Sequence, residues 1–317
     1  MSLNSQINVS LLRRNNSFFG THFFISDILI LAKEDGKRGI NMKEFKLSNG
    51  LIFPAVGYGT YLATKEKGTE AIAQAIEVGY RYFDTASFYM NEEQVGEAIK
   101  ESRIERDEIQ ICSKLWRTQM GYENALKAFD ESINKLKTDY LDLYLIHWPK
   151  NEGAGDEWKD ILRDTWRAME ELYKSGRAKA IGLSNFLPHH IDAIWHDADV
   201  KPMVDQLELH VGYMQLNAVE YAKEKGMLIQ AWSPLGRRRV IEEPIVLKMA
   251  EKYKTTPAGF LLSFLNKQQI MVIPKASAKE RMIKNLNIEE IDIEDEDMKY
   301  LLNLPQIGWS GEHPDLV

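Results

Sequence analysis

Tyr89 stands in "DTASFYMNE", residues 84–92, directly after the apolar run "VGYRYF". A phenol is a reluctant acid near neutrality, with a reference pKa of about 10. A lysine ammonium beside it favours the phenolate, and a buried ammonium needs an opposite charge. Asp84 can supply that charge, and Lys114, in "IQICSKLW", can supply the ammonium. Asp–Lys–Tyr is then a way to tune a phenol into a proton donor. His147, at the end of "LYLIH", could hydrogen-bond the same substrate oxygen and orient a carbonyl. The set contains no nucleophile–base pair and no metal cluster. It delivers a proton but no electrons, so the economical source of a hydride is a nicotinamide cofactor.

Such groups must be brought together by the elements that carry them. Apolar, β-rich runs fall near 55–59, 80–84, 109–114, 140–147, 178–182, 202–207, 227–232 and 270–273. Helical patterns lie between most of them. In "ENALKAFDESINKLKTDY" the residues Leu126, Phe129, Ile133 and Leu136 recur at spacings of three and four. In "DTWRAMEELYKSGRAKAIG" Trp166, Met169 and Tyr173 share a face, and Gly176 stops the helix. Eight strand–helix units predict a closed (β/α)8 TIM barrel. A doubly wound open sheet is the alternative, but "VGYGTYL" lacks the third glycine of its fingerprint. "EFKLSNGLIFP" reads as a hairpin around Asn49-Gly50, placed across the barrel bottom. In a barrel, chemistry sits where the strands end. Those ends carry Thr60-Tyr61, Asp84, Lys114 with Trp116, His147-Trp148, Ser184-Asn185, Gln206, Trp232-Ser233 and Lys275.

The net charge of -7 gives no general attraction to phosphate backbones or anionic lipid, so neither nucleic acid nor membrane is expected as a partner. Cys112 is the one cysteine, which rules out an internal disulfide and fits a reducing, cytoplasmic setting. Its run predicts an ordinary core residue. Residues 1–41 read as an N-terminal extension of unknown role, because "MKEFKLSNGLIFP" from Met42 resembles a natural start. Residues 42–317 form the barrel domain. His189 and His190 mark a helix start, His196 and His313 face water, and no cluster predicts a metal.

The segments "GYGTY", "DTASFYMNEEQVG", "SKLW", "LIHWP", "GLSNF", "DQLELH", "AWSPLG" and "VIPKAS" follow one another over residues 57–277. In that order and spacing they resemble the aldo-keto reductase family, in particular its short-looped bacterial aldehyde and ketone reductases. The resemblance implies a catalytic tetrad of Asp84, Tyr89, Lys114 and His147, with Tyr89 as general acid in reduction. It implies that Ser184, Asn185 and Gln206 hold the nicotinamide carboxamide and that Trp232 stacks on the ring. Thr60, Tyr61, Ser233, Leu235 and Ser277 fall at further cofactor positions. Tyr61, Phe88, Trp116 and Trp148 would wall the carbonyl pocket. Lys275, Arg281 and Asn285 match the family's adenosine end, where a lysine and an arginine take the 2'-phosphate of NADPH. Two cations near one dianion make physical sense, and arginine can bind it bidentately. Ala276 and Lys284 depart from the family's serine and acid. "GRRRV" at 236–240 lies over the pyrophosphate or forms a solvated loop.

The expectation is therefore a monomeric, cytoplasmic enzyme that reduces a small-molecule aldehyde or ketone with NADPH, and more weakly with NADH. The alternative is a non-catalytic NADPH-binding regulatory or structural member of the same fold. A cofactor-free barrel isomerase or aldolase is a third.

Overall fold

The computed structural model describes residues 43–316, so the extension expected over residues 1–41 lies outside the described residues. Two short strands, β1 (Glu44–Lys46) and β2 (Ile52–Pro54), pair antiparallel. Eight parallel strands follow: β3 (Tyr58–Gly59), β4 (Tyr82–Asp84), β5 (Gln110–Leu115), β6 (Leu143–Ile146), β7 (Ile181–Ser184), β8 (Val204–Glu208), β9 (Leu228–Trp232) and β10 (Ile270–Ile273). Each pairs with its neighbours in sequence. The sheet closes on itself through a parallel bridge between Val56 and Val272. There Gly57 N donates to Val272 O at 2.9 Å and Gly59 N to Pro274 O at 3.2 Å. Closure removes the free edges an open doubly wound sheet would keep, and the architecture is a (β/α)8 barrel.

Strand periodicity separates two cores. Tyr82, Cys112, Leu143, Leu145, Val204 and Met271 point inward and cluster with Phe45 and Phe53 of the hairpin. Phe83, Ile111, Leu115, Tyr144, Ile146, Leu183 and Leu207 point outward into the helix layer. Successive side chains on a strand face opposite ways, so Asp84, Lys114 and His147 continue the inward set two residues beyond Tyr82, Cys112 and Leu145. Cys112 is a core residue, as its run predicts. The hairpin plugs the end where strands begin: Phe53 packs edge-on to Tyr82 at 5.3 Å, and Gln110 Nε2 donates to Ile52 O at 2.8 Å. Asn49-Gly50 sits in a five-residue connection rather than a two-residue turn. Leu47 N and Gly50 N bond Leu51 O and Leu47 O, and Gly50 takes a φ of 95°.

The helix layer comprises α1 (Thr69–Val78), α2 (Glu92–Glu101), α3 (Tyr122–Leu136), α4 (Trp158–Lys174), α5 (Pro188–Trp195), α6 (Leu216–Glu224), α7 (Pro244–Lys252), α8 (Pro257–Lys267), α9 (Lys279–Leu286) and α10 (Asp295–Leu302). Gly176, with φ of 76°, follows the end of α4 as predicted. Asp295, Glu296 and Asp297 occupy the positive first turn of α10. Helix α2 begins three residues after Tyr89, so its seating fixes that loop. Buried Glu92 in its first turn accepts from Ser113 Oγ at 2.6 Å, and Ser113 is the outward neighbour of Lys114. Gly96 packs so closely on the end of α3 that a Cβ would lie 2.4 Å from Leu136 O. Gly96→Ala should destabilise the fold by about 2–3 kcal/mol, measured by urea unfolding, because backbone cannot yield as a side chain does.

Candidate active site

The inward-facing polar residues meet at the mouth where the strands end. The register staggers them: Asp84 is level with Cys112, and Lys114 is level with Leu145. Lys114 Nζ reaches Asp84 Oδ1 at 2.6 Å, Thr85 O at 3.0 Å and Tyr89 Oη at 3.3 Å. An ammonium has three N–H donors, and all three are used. Burial alone would push the Lys114 pKa down. Asp84, and then the Tyr89 oxygen, outweigh it and hold it above the ordinary lysine value. Asp84 Oδ2 accepts from Gln206 Nε2 at 2.8 Å. Gln206 Nε2 also donates to Gln230 Oε1 at 3.0 Å, and Gln230 Nε2 to Tyr82 Oη at 3.1 Å. A continuous polar chain thus runs from Tyr82 deep in the barrel to Tyr89 at its mouth.

The Tyr89 loop is tied at several points. A single 3-10 turn, Ser87–Tyr89, is followed by Met90 with φ of 54°. Thr85 Oγ1 donates to Asn91 Oδ1 at 2.7 Å, and Asn91 Nδ2 to Thr60 O at 2.9 Å. Ser87 Oγ donates to Lys114 O at 3.0 Å. Burial pushes the Tyr89 phenol up to about 12, against the downward pull of Lys114. The net direction is opposite to that expected from the ammonium alone, because desolvation of the phenolate is the larger effect. His147 packs edge-on to Tyr89 at 5.6 Å, and burial and the Lys114 charge keep its imidazole neutral. Its Nδ1 is buried without a partner among the described residues.

The expected nicotinamide residues adjoin this group and are hydrogen-bonded within the protein. Ser184 Oγ donates to Gln206 O at 3.0 Å. Asn185, held at φ of 64°, donates to His147 O and Ser184 Oγ, while its Oδ1 accepts from Trp232 Nε1 at 2.8 Å. Asn185 therefore already has partners at both ends of its amide. Of the Ser184, Asn185 and Gln206 side chains, Gln206 alone keeps a buried acceptor, Oε1, without a partner among the described residues. It fits an amide N–H of a carboxamide. Thr60 is fully buried and its hydroxyl donates to Asp84 O at 2.9 Å, tying the end of β3 to β4. Ser233 has φ of 50°, and Leu235 packs partly buried at the same loop.

Tyr61 lies 5.0 Å from Tyr89, Phe88 stacks on Trp116 at 3.9 Å, and Trp116 meets His147 edge-on at 5.1 Å. Trp148 is buried beside His147. The four expected pocket aromatics are thus assembled around the tetrad. Farther along, Lys275 and Arg281 are exposed, Ser277 is half-buried and Asn285 is buried. Among the described residues neither cation has an ion-pair partner, which suits an anion. The arginines of "GRRRV" behave differently. Arg237 pairs with Glu312 at 3.0 Å, and Arg239 binds the carbonyls of Gly308 and Trp309. They strap the C-terminal tail, which neither expected role included.

Two further features escaped the sequence reading. Gln230 links Gln206 to Tyr82. Its signal was a single polar residue at an inward position of the apolar run "LIQAW". His190 is fully buried. Its Nδ1 accepts from Leu187 N at 3.1 Å, which places its proton on Nε2, facing Asp315 Oδ1 at 2.9 Å. His189 Nε2 and Lys150 Nζ reach the same oxygen, each at 3.0 Å. His189, His190 and Asp315 are spaced closely enough to hold a metal. The proton on His190 and the ammonium make the group a latch for the tail instead.

Residues 55–304 match the model of the Aldo/keto reductase family. The chain is 40% identical over 271 residues to glyoxal reductase of Bacillus subtilis, covering 85% of this chain and 95% of that one. It is 37% identical over 268 residues to morphine 6-dehydrogenase of Pseudomonas putida, covering 80% and 88%. Among solved structures, an aldo-keto reductase enzyme from a Medee basin deep-sea metagenome library superposes with a TM-score of 0.79 at 37% identity, covering 87% and 99%. Among the described residues no helix is long and apolar enough to cross a membrane. The chain is an oxidoreductase of the aldo/keto reductase family.

Proposed function

We propose that the protein reduces an aldehyde or ketone to an alcohol with NADPH, and that Tyr89 gives the proton. The observation that carries this is the Lys114 ammonium, 2.6 Å from Asp84 and 3.3 Å from Tyr89 Oη, beside neutral His147. When bound, the cofactor supplies the hydride. His147, through an N–H, orients the carbonyl oxygen toward Tyr89. The neutral phenol holds its proton at all ordinary pH values and releases it only to a strong base, which an alkoxide-like oxygen is. The phenolate left behind faces a charge-fixed ammonium, so Lys114 stabilises the reacting state more than the ground state. Gln206 Oε1 orients the nicotinamide carboxamide while Asn185 holds Ser184 and Trp232 beside it, and Lys275 and Arg281 take the 2'-phosphate. NADH, lacking that phosphate, serves more weakly. The protein acts as a cytoplasmic monomer.

Loss of NADPH absorbance with a panel of carbonyls tests the reading. Tight NADPH binding without consumption would instead favour a non-catalytic binder. Lys275→Ala combined with Arg281→Ala should raise the Kd for NADPH roughly a hundred-fold, from two lost charge-assisted contacts. The Kd for NADH should change less than three-fold by the same reasoning, since it lacks the phosphate those contacts serve. Fluorescence titration with both nucleotides measures it, and equal losses would contradict the phosphate assignment.

A further inference from the structure

One glutamine stands where the barrel interior is otherwise largely apolar. The inward set includes Tyr82, Cys112, Leu143, Leu145, Val204 and Met271. Gln230 is fully buried, level with Gln206 on β8 and with Met271 on β10. A buried amide costs free energy unless its groups are bonded, and an apolar residue would fill the same place without that demand. The proton transfer at Tyr89 does not use Gln230, so its presence has another reason.

The hydrogen bonds supply one. A carboxylate only accepts, so the nitrogen of Gln206 must face Asp84 Oδ2, 2.8 Å away. An amide nitrogen carries two N–H donors, and the second goes to Gln230 Oε1 at 3.0 Å. Gln230 is fixed in the same sense, because its Nε2 donates to Tyr82 Oη at 3.1 Å and meets Met271 Sδ at 3.2 Å. Asp84 alone would set the direction of the Gln206 amide and leave its plane free to turn. Two acceptors on one nitrogen fix both. What remains is Gln206 Oε1, buried and without a partner among the described residues. Buried polar networks hold one arrangement because each member left unpaired is costly.

Resting on the nicotinamide reading above, we infer that Gln230 is a positioning residue: by taking the second N–H of Gln206 it leaves the Gln206 oxygen as the acceptor offered to the cofactor, and so makes the protein select a pyridine ring whose 3-substituent carries an N–H. A carboxamide completes the network. A group of the same size with no N–H leaves a buried oxygen unpaired.

The test is fluorescence titration of the full chain with NADP+ and with its 3-acetylpyridine analogue, in which a methyl group replaces the carboxamide nitrogen. The unsubstituted protein should bind the analogue about ten- to a hundred-fold more weakly, the cost of one buried acceptor left unpaired. Gln230→Met keeps the length and removes the acceptor. It should cut that ratio to about three-fold or less, because the Gln206 amide can then turn. Gln230→Glu should restore the ratio, since burial keeps its carboxyl neutral and gives an oxygen to Gln206 and an O–H to Tyr82. The ratio is taken within one variant, so a general loss of affinity or stability does not move it. Equal affinities in the unsubstituted protein, a ratio that Gln230→Met leaves intact, or a Gln230→Glu ratio as low as that of Gln230→Met would overturn the inference. Should Gln230→Met not fold, Tyr82→Phe carries the test. It removes the oxygen acceptor of Gln230 Nε2 and should lower the ratio at least about two-fold, and an unchanged ratio overturns the inference. If neither nucleotide bound, the nicotinamide reading would fall by itself. Urea unfolding of Gln206→Met, Gln230→Met and the double variant would still decide the coupling of the two glutamines. A double variant that costs less than the sum of the two supports it, and strict additivity overturns it.

Discussion

Lys114→Met should lose both catalysis and stability. The ammonium is fully buried and donates to Asp84, Thr85 and Tyr89. Methionine has similar length and none of those donors. Asp84 would be left in the barrel with Gln206 as its hydrogen-bonding partner and no counter-charge. Breaking one side of a buried ion pair typically costs about 3–5 kcal/mol, which urea or thermal unfolding would register. Reduction should fall by at least about a thousand-fold, because the phenolate formed at Tyr89 would have no neighbouring charge. Adding Asp84→Asn to Lys114→Met should recover much of the stability, since the uncompensated carboxylate is gone, and should recover none of the activity. Recovery of activity in the double variant would show that the ion pair is scaffolding alone.

Tyr89→Phe separates the two effects. It removes one oxygen, leaves the ring against Tyr61, and takes from Lys114 only the longest of its three hydrogen bonds. Stability should change by no more than about 1 kcal/mol. Activity should fall about 10²–10⁴-fold, the span general acid catalysis commonly supplies, while the Kd for NADPH stays within about two-fold because that hydroxyl lies outside the proposed nucleotide contacts. Steady-state kinetics beside fluorescence titration would show both. Activity within about ten-fold of the unsubstituted protein would reassign the proton donor.

Much of this was legible in the chain. Strand parity carries Asp84, Lys114 and His147 to one interior because each continues an inward-facing apolar set, and an apolar run followed by a polar group displays that pattern. The barrel was legible for the same reason, since eight such runs alternate with helices. What stayed hidden depends on contacts between distant residues. Gln206 reads in sequence as a cofactor ligand only, and its second task, directing its amide N–H groups to Asp84 and Gln230, depends on partners fixed when the barrel closes. His190 looked like a helix-start residue, and its partner Asp315 is 125 positions away. The three arginines at 237–239 gave no sign that the C-terminal tail would take two of them. The acidity of Tyr89 departs from the sequence expectation for a different reason. A neighbouring ammonium is visible in sequence, but the depth of burial that outweighs it is not.

The pH dependence of a single turnover, with an aldehyde and NADPH deuterated at the transferring position of the nicotinamide, reaches the central claim most directly. The protonated phenol is the competent form in reduction, and its pKa lies near 12. His147 is already neutral well below its ordinary value. The rate should therefore stay level from about pH 6 to about pH 10 and fall only above that, with deuterium on the carbinol carbon. A rate that halves near the ordinary imidazole value of about 6.5, or bound NADPH that never passes its deuterium to the aldehyde, would contradict the account.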